Sequence, residues 1–257
     1  MNDIEPDFVF LSEPMLFQCD LKHEMTMFDH KYSASLNSDD AFDSDLQLLH
    51  HTAKGGTMAM WKHDLDPFVS SLPAISSSFH TIIFTPPRSA PSIHITLYLP
   101  TAGREDPFIE ATVQLYDHIL DLTNRFPDYS LFVRGDANVN SKNCKRLRIL
   151  NSICSKFNLI RKEIGHKTYH HFVGKGMSDS ELDVLIYKIP SEEQLLKVYC
   201  IHENPLMTSH HDALMSCFFL PVVQHTPKID DLPRALVLTT NVLEYIGQRM
   251  GSRISLT

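Results

Sequence analysis

The chain has 257 residues, 43% of them hydrophobic and 21% charged, which is ordinary for a packed protein and enough for one large domain or two small ones. A formal charge of −8 argues against binding nucleic acid by bulk electrostatics, and no uncharged apolar run of ~18 residues marks a transmembrane helix. Five scattered cysteines with no CxxC pair, and an acidic N-terminus without an apolar signal segment, point to an intracellular chain, nuclear or cytoplasmic, with reduced thiols.

In chain order, the apolar run 7–11 follows Pro6 and predicts a buried strand ending at Ser12-Glu13. The stretch 33–45 is polar, rich in Asp and Ser, and reads as a loop. Gly55-Gly56 opens a strand over 57–61. Two β-branched runs, 79–84 and 93–98, flank a connection containing Pro86, Pro87 and Pro91, and predict a hairpin-like pair. The clearest helix runs over 107–125, with Asp106 as cap and Pro107 in the first position, where no amide donor is needed. Ile109, Val113, Tyr116 and Leu120 recur at helical spacing and predict its inward face, and Pro127 ends it.

The apolar run 129–133 leads straight into Gly135-Asp136. A second helix is predicted over 142–157, with Leu147, Leu150 and Cys154 inward and its basic residues outward. Those residues, Lys142, Lys145, Arg146, Arg148 and Lys156, make either a solvated helix face or a local basic surface. Further strands are predicted over 168–173, 182–187, 196–201 and 213–220, and Ser191-Glu192-Glu193-Gln194 has a capping-box pattern for a short helix. Segment 224–233 reads as a linker and 235–249 as an isolated amphipathic helix, so the expected division is a domain over 1–223 and a tail over 224–257. Many strands with few helices between them predict an α/β sandwich rather than a regularly alternating sheet.

Four short stretches place chemistry at strand ends: Leu11-Ser12-Glu13-Pro14, Gly135-Asp136-Ala137-Asn138, Leu182-Asp183-Val184-Leu185 and Ser209-His210-His211-Asp212. Each alone is ordinary; together they carry the parts of a phosphodiester-cutting site. Such chemistry needs a cation, an activated water and a stabilised phosphate, and one or two carboxylates suffice to hold Mg²⁺. Glu13 is the candidate ligand. Asp136 and Asn138, two apart in an extended segment, would point the same way and serve a water and a phosphate oxygen together. Asp183 and His211 suggest a carboxylate–imidazole pair, and Tyr98 a phenol donor to phosphate. A transition-metal site from His170, His171, His210 and His211 is disfavoured, because neighbouring strand residues face opposite ways.

The ordered set resembles the endonuclease/exonuclease/phosphatase (DNase I-like) superfamily over roughly residues 5 to 222. The matching pieces are Leu11-Ser12-Glu13, Leu97-Tyr98-Leu99-Pro100-Thr101-Ala102-Gly103, Gly135-Asp136-Ala137-Asn138, Leu182-Asp183 and Ser209-His210-His211. Thr168-Tyr169 ahead of Asp183 is most similar to the endonuclease domain of non-LTR retrotransposons. The resemblance implies a four-layer α/β sandwich, two mostly antiparallel sheets flanked by helices. It implies Mg²⁺ at Glu13, with Mn²⁺ as an alternative, and catalytic roles for Tyr98, Asp136, Asn138, Asp183 and His211. The implied partner is DNA, nicked to leave a 3′-hydroxyl, with no membrane and no obligate protein partner; a full-length relative would also carry a reverse transcriptase, absent here.

Two departures accompany the resemblance. The family's first strand, with its Asn, and the helix after it have no counterpart here, and Ser209-His210-His211 stands where the family has Ser-Asp-His. They keep open an inactive, truncated remnant or interaction module. Superfamily chemistry on RNA, inositol phosphates or lipid is a further alternative.

Overall fold

The computed structural model describes residues 5–26, 31–38, 55–101, 103–139, 144–173, 176–189, 195–201 and 211–218. The expected linker, the helix over 235–249, the capping box at 191–194, Lys142 and His210 lie outside them. The chain divides into two units, Met1–Val222 and Val223–Thr257, and everything below concerns the first.

Six strands form the main sheet, in the order β4-β5-β6-β7-β11-β8. They are β4 (Val69–Ser71), β5 (Phe79–Phe84), β6 (Ser92–Tyr98), β7 (Ser130–Asp136), β11 (Asp183–Lys188) and β8 (Ile160–Lys162). Their pairings are antiparallel except β6 with β7, which run parallel through the helical crossover between them. A second sheet, β1 (Phe8–Ser12), β3 (Thr57–Lys62) and β2 (Tyr32–Asn37), is antiparallel in the order β1-β3-β2. Two further antiparallel pairs are β9 (Tyr169–Val173) with β10 (Gly176–Ser180), and β12 (Leu195–Ile201) with β13 (Ala213–Phe218).

Alternation along the strands sorts the core into layers. Phe79, Ile83, Ile95, Val133 and Ile186 face α2 (Glu105–Arg125) and α3 (Cys144–Lys156) in the largest apolar cluster. On the opposite face, Ile82 packs on Ala59 and Trp61 of the second sheet, and Phe132 and Leu185 pack under Phe218. Leu36, Met58 and Met60 cover the outer side of the second sheet beneath the short α1 (Leu21–Met25). Helix, sheet, sheet, helix is the four-layer arrangement that the sequence led one to expect.

Several local expectations are corrected. Residues 33–37, read as loop, belong to β2: Ala34 and Leu36 alternate with serines onto Met60 and Met58, a half-buried strand that polar composition disguised. β1, expected to be buried, is a sheet-edge strand with Leu11 37% exposed. Helix α2 starts two residues early, with Arg104 at its cap; Pro107 still falls in the first turn, where its missing amide costs nothing. Its inward row is Phe108, Ala111, Leu115, Ile119 and Leu122, whereas Ile109, Val113 and Leu120 are exposed. Two apolar rows share this helix at the same spacing, so periodicity alone could not choose between them. Tyr116 is partly buried beside the Phe157 ring.

In α3, Leu150 and Cys154 do face inward, but Arg146 is fully buried rather than outward. Its guanidinium donates to the carbonyls of Pro100, Thr101, Arg104 and Asn138 and pairs with Glu105, lying over the Phe108 ring. It is an internal clamp and contributes nothing to a basic surface.

Candidate active site

The parallel crossover and the β7–β11 pairing put three strand ends side by side. Tyr98 is the register partner of Asp136, and Asp136 that of Asp183, so one row of the main sheet reads Tyr98, Asp136, Asp183. All three stand on the face turned toward the second sheet.

Ser12 ties β1 to this row. Its hydroxyl donates to the Leu97 carbonyl at 2.7 Å and accepts the Asp136 amide at 3.2 Å. The approach requires Gly135: with φ +129°, a Cβ there would run into the Leu97 carbonyl oxygen and the Ser12 hydroxyl. Immediately after this contact Glu13 takes a left-handed backbone conformation, φ 56°, its amide donating to Gly56 O at 2.9 Å. Its carboxylate accepts a hydrogen bond from the Tyr98 phenol; burial first, then the charge of Glu13, holds that phenol well above its ordinary pKa. Ser12 and Gly135 thus matter as much to the geometry as the charged residues. The sequence offered only their adjacency to Glu13 and Asp136 as a clue.

Asn138 departs from expectation in conformation. The segment after β7 is a turn, with Asn138 at φ 49°, not an extension that points both side chains alike. The turn still joins the two residues. The Asn138 amide N–H donates to Asp136 Oδ1 at 2.8 Å, and its side-chain Nδ2 donates to Asp136 Oδ2 at 3.0 Å and to Leu99 O at 2.8 Å. With both Nδ2 protons engaged, the amide orients Asp136.

His211 completes the group from the segment before β13. Asp183 is acceptor-only when ionised, so the 2.9 Å contact between His211 Nδ1 and Asp183 Oδ2 places the proton on Nδ1. Nε2 then lies 3.8 Å from Asp136 Oδ2. Burial alone would lower the His211 pKa; the hydrogen bond and charge of Asp183, helped by Asp136 and Glu13, outweigh it and raise it. Asp136, 6% exposed, is pushed up to about 7 by burial first and then by the charge of Asp183, against the opposing Asn138 amide and His211. Thr168, fully buried, supports the dyad: its hydroxyl accepts the amides of Leu182 and Asp183, and its carbonyl accepts the Asp212 amide.

Three carboxylates, Glu13, Asp136 and Asp183, therefore act on one imidazole. That excess of negative charge and the hard oxygen donors suit a cation such as Mg²⁺, which keeps most of its waters and needs only one or two carboxylates. Among the described residues no group of three His, Cys, Asp or Glu stands close enough to hold a metal ion by itself; of the four histidines weighed for a transition-metal site, His210 and the His171 side chain lie outside the described ones. Asp212, adjacent to His211, accepts from His170 through Oδ2 at 3.0 Å. A groove of about 680 Å³ opens beside the row, lined by Glu13, Tyr98, Thr101, Arg104 and Gln114 among others.

No family model and no curated protein matches the sequence. Solved structures do match. The endonuclease domain of TRAS1, a telomere-specific non-LTR retrotransposon, is 14% identical with a TM-score of 0.58, covering 83% of this chain and 98% of that one. The AP endonuclease LMAP from Leishmania major is 12% identical with a TM-score of 0.65, covering 84% and 79%. The 3′-5′ exonuclease NExo from Neisseria meningitidis is 13% identical with a TM-score of 0.60, covering 84% and 91%. The chain has the DNase I-like fold.

Proposed function

We propose that this chain, built on the DNase I-like fold, is a metal-dependent phosphodiesterase that nicks one strand of DNA to leave a 3′-hydroxyl. The observation that carries the reading is the row Tyr98–Asp136–Asp183 with His211 bonded to its end. Support of a weaker kind comes from the structures it resembles, which are an AP endonuclease, an exonuclease and a retrotransposon endonuclease domain.

Asp136 is placed to act as base: held by two Asn138 donors and raised toward neutrality, it takes a proton from the attacking water. His211, its charged form favoured by Asp183, presents Nε2–H to a non-bridging phosphate oxygen, and the Tyr98 phenol would become a second donor once its proton is turned from Glu13 to the phosphate. As the water oxygen bonds to phosphorus, the bond from phosphorus to the 3′ oxygen breaks and that oxygen takes a proton from solvent, giving a 3′-hydroxyl and a 5′-phosphate. Glu13 would hold Mg²⁺, or Mn²⁺ in its place, which when bound supplies charge neutralisation at the phosphate.

Supercoiled plasmid incubated with the protein and Mg²⁺ should become nicked circle. The conversion should stop in EDTA and fall sharply in His211→Ala. A competing reading, an inactive descendant of such enzymes, draws on the sparse ligand set around Glu13 among the described residues. A sample that melts cooperatively yet never nicks would establish it.

A further inference from the structure

His170 lies outside the chemistry above yet is joined to the segment that carries it. It faces Asp179 directly across the β9–β10 pair. Its Nδ1 lies 3.0 Å from Asp179 Oδ1 and its Nε2 3.0 Å from Asp212 Oδ2. Ionised carboxylates only accept, so both contacts together require both ring N–H groups, an imidazolium between two aspartates. Neither nitrogen is left to a metal ion.

Its chain neighbours reach the same segment. Thr168 O accepts the Asp212 amide, Tyr169 forms a β-bridge with His211, and the Tyr169 ring lies 4.8 Å from the His211 ring. The tripeptide Thr168-Tyr169-His170 therefore grips His211 and Asp212 through backbone, ring and charge at once. Of these contacts only the His170 pairing is an ionic side-chain link that also reaches β10. Asp212 is 11% exposed at its side chain, so this charge is well shielded from water and needs its partner.

We propose that His170 is a positioning residue: by bridging Asp179 and Asp212 it fixes the segment on which His211 meets Asp183. Without the bridge Asp212 loses its ionic tie to β9 and β10, the 211–212 backbone shifts, and the His211–Asp183 hydrogen bond loosens. The consequence for cleavage rests on the phosphodiesterase reading, whereas the consequence for His211 does not.

The test compares the full chain with His170→Phe, which keeps a ring and removes both donors, and His170→Arg, whose guanidinium can serve two carboxylates. Imidazole NMR reads the His211 Nδ1 proton. In His170→Phe it should exchange with solvent at least about tenfold faster, and in His170→Arg it should stay protected. Plasmid nicking in Mg²⁺ should drop about 10–100-fold in His170→Phe, in kcat rather than KM, the scale typical for removing the partner that orients a site residue. Unchanged His211 exchange in a folded His170→Phe protein overturns the proposal, even if nicking falls. If the parent does not nick at all, the phosphodiesterase reading fails while the exchange measurement still decides this one. Should His170→Phe not fold, Asp212→Ala removes one contact, leaves the imidazole in place and is read the same way.

Discussion

Asp136 on β7 and Asp183 on β11 are register partners in adjacent antiparallel strands, two carboxylates on one face with a single imidazole, His211, within reach of both. Like charges opposed across a sheet destabilise it unless something compensates. Here Asp136 is pushed up to about 7, and His211, whose pKa the same carboxylates raise, offsets part of the repulsion.

Asp183→Asn therefore has two consequences at once. His211 loses the partner that raises its pKa, and Asp136 loses a charge that pushes its own upward. Nicking should fall about 10²–10⁴-fold, the range for disabling a positioned acid–base group. The acidic limb of the remaining activity should move to lower pH, because Asp136 ionises more readily. A pH–rate profile of plasmid nicking measures both; an acidic limb shifted upward would contradict the assignment of Asp136 as base.

Gly135→Ala should be far more harmful than a surface glycine change. The added methyl meets the Leu97 carbonyl and Ser12 hydroxyl, and φ +129° strains any L side chain. A loss on the order of 2–3 kcal/mol is expected from the strain and the broken staple together. Ser12→Ala, which removes the staple without adding bulk, should cost about 1 kcal/mol and leave the Asp136 amide short of a partner. Urea unfolding of the two variants measures the difference.

Arg146→Leu should destabilise the chain by about 2–4 kcal/mol, since it takes the buried donor away from the Pro100 and Thr101 carbonyls, while Glu105, 41% exposed at its side chain, turns to water. Arg146→Lys should recover little, because an ammonium cannot span donors aimed at Pro100, Thr101 and Glu105 together. Chemical unfolding checks both. Were Arg146 a DNA contact instead, the Lys variant would keep full stability and lose only binding.

Acid should weaken the fold through its buried histidines. His80 and His118 are held at about 4, chiefly by burial, against an ordinary value near 6.5. The unfolded chain therefore binds their protons first as pH falls. The contribution of these two is undiminished above about 6.5 and is lost between about 6.5 and 4, by on the order of a few kcal/mol for each, while His94, buried beside Arg134 and held well below 6.5, adds to the loss as pH falls. Melting temperature against pH should show this descent, and His118→Gln, which removes one of the two groups, should make it shallower.

How much of this was legible in the sequence depends on the distance over which each feature is decided. Tyr98, Asp136, Asp183 and His211 stood out because each closes or opens an apolar run, and strand ends are where a sheet presents side chains to a cleft. The choice of apolar row on α2 was not legible, since Phe108 and Ile109 begin rows of equal spacing and only the sheet beneath selects one. Arg146 misled for the same reason: in a run of Lys and Arg nothing local distinguishes the one that four carbonyls will enclose.

By itself the sequence determined the layered α/β fold and marked Glu13, Asp136, Asp183 and His211 as candidates, because strand period, helix period and residue chemistry are local properties. Tertiary structure alone decided that Tyr98, Asp136 and Asp183 share one row, that Asn138 spends its amide on Asp136, and that His170 is tied to Asp212. Apart from the local Asn138 contact these join residues distant in the chain, and the hydrogen bond that ties the row to β1 spans 124 positions, from Ser12 to Asp136. They exist only once burial has fixed strand order and register, which no short stretch of the chain encodes.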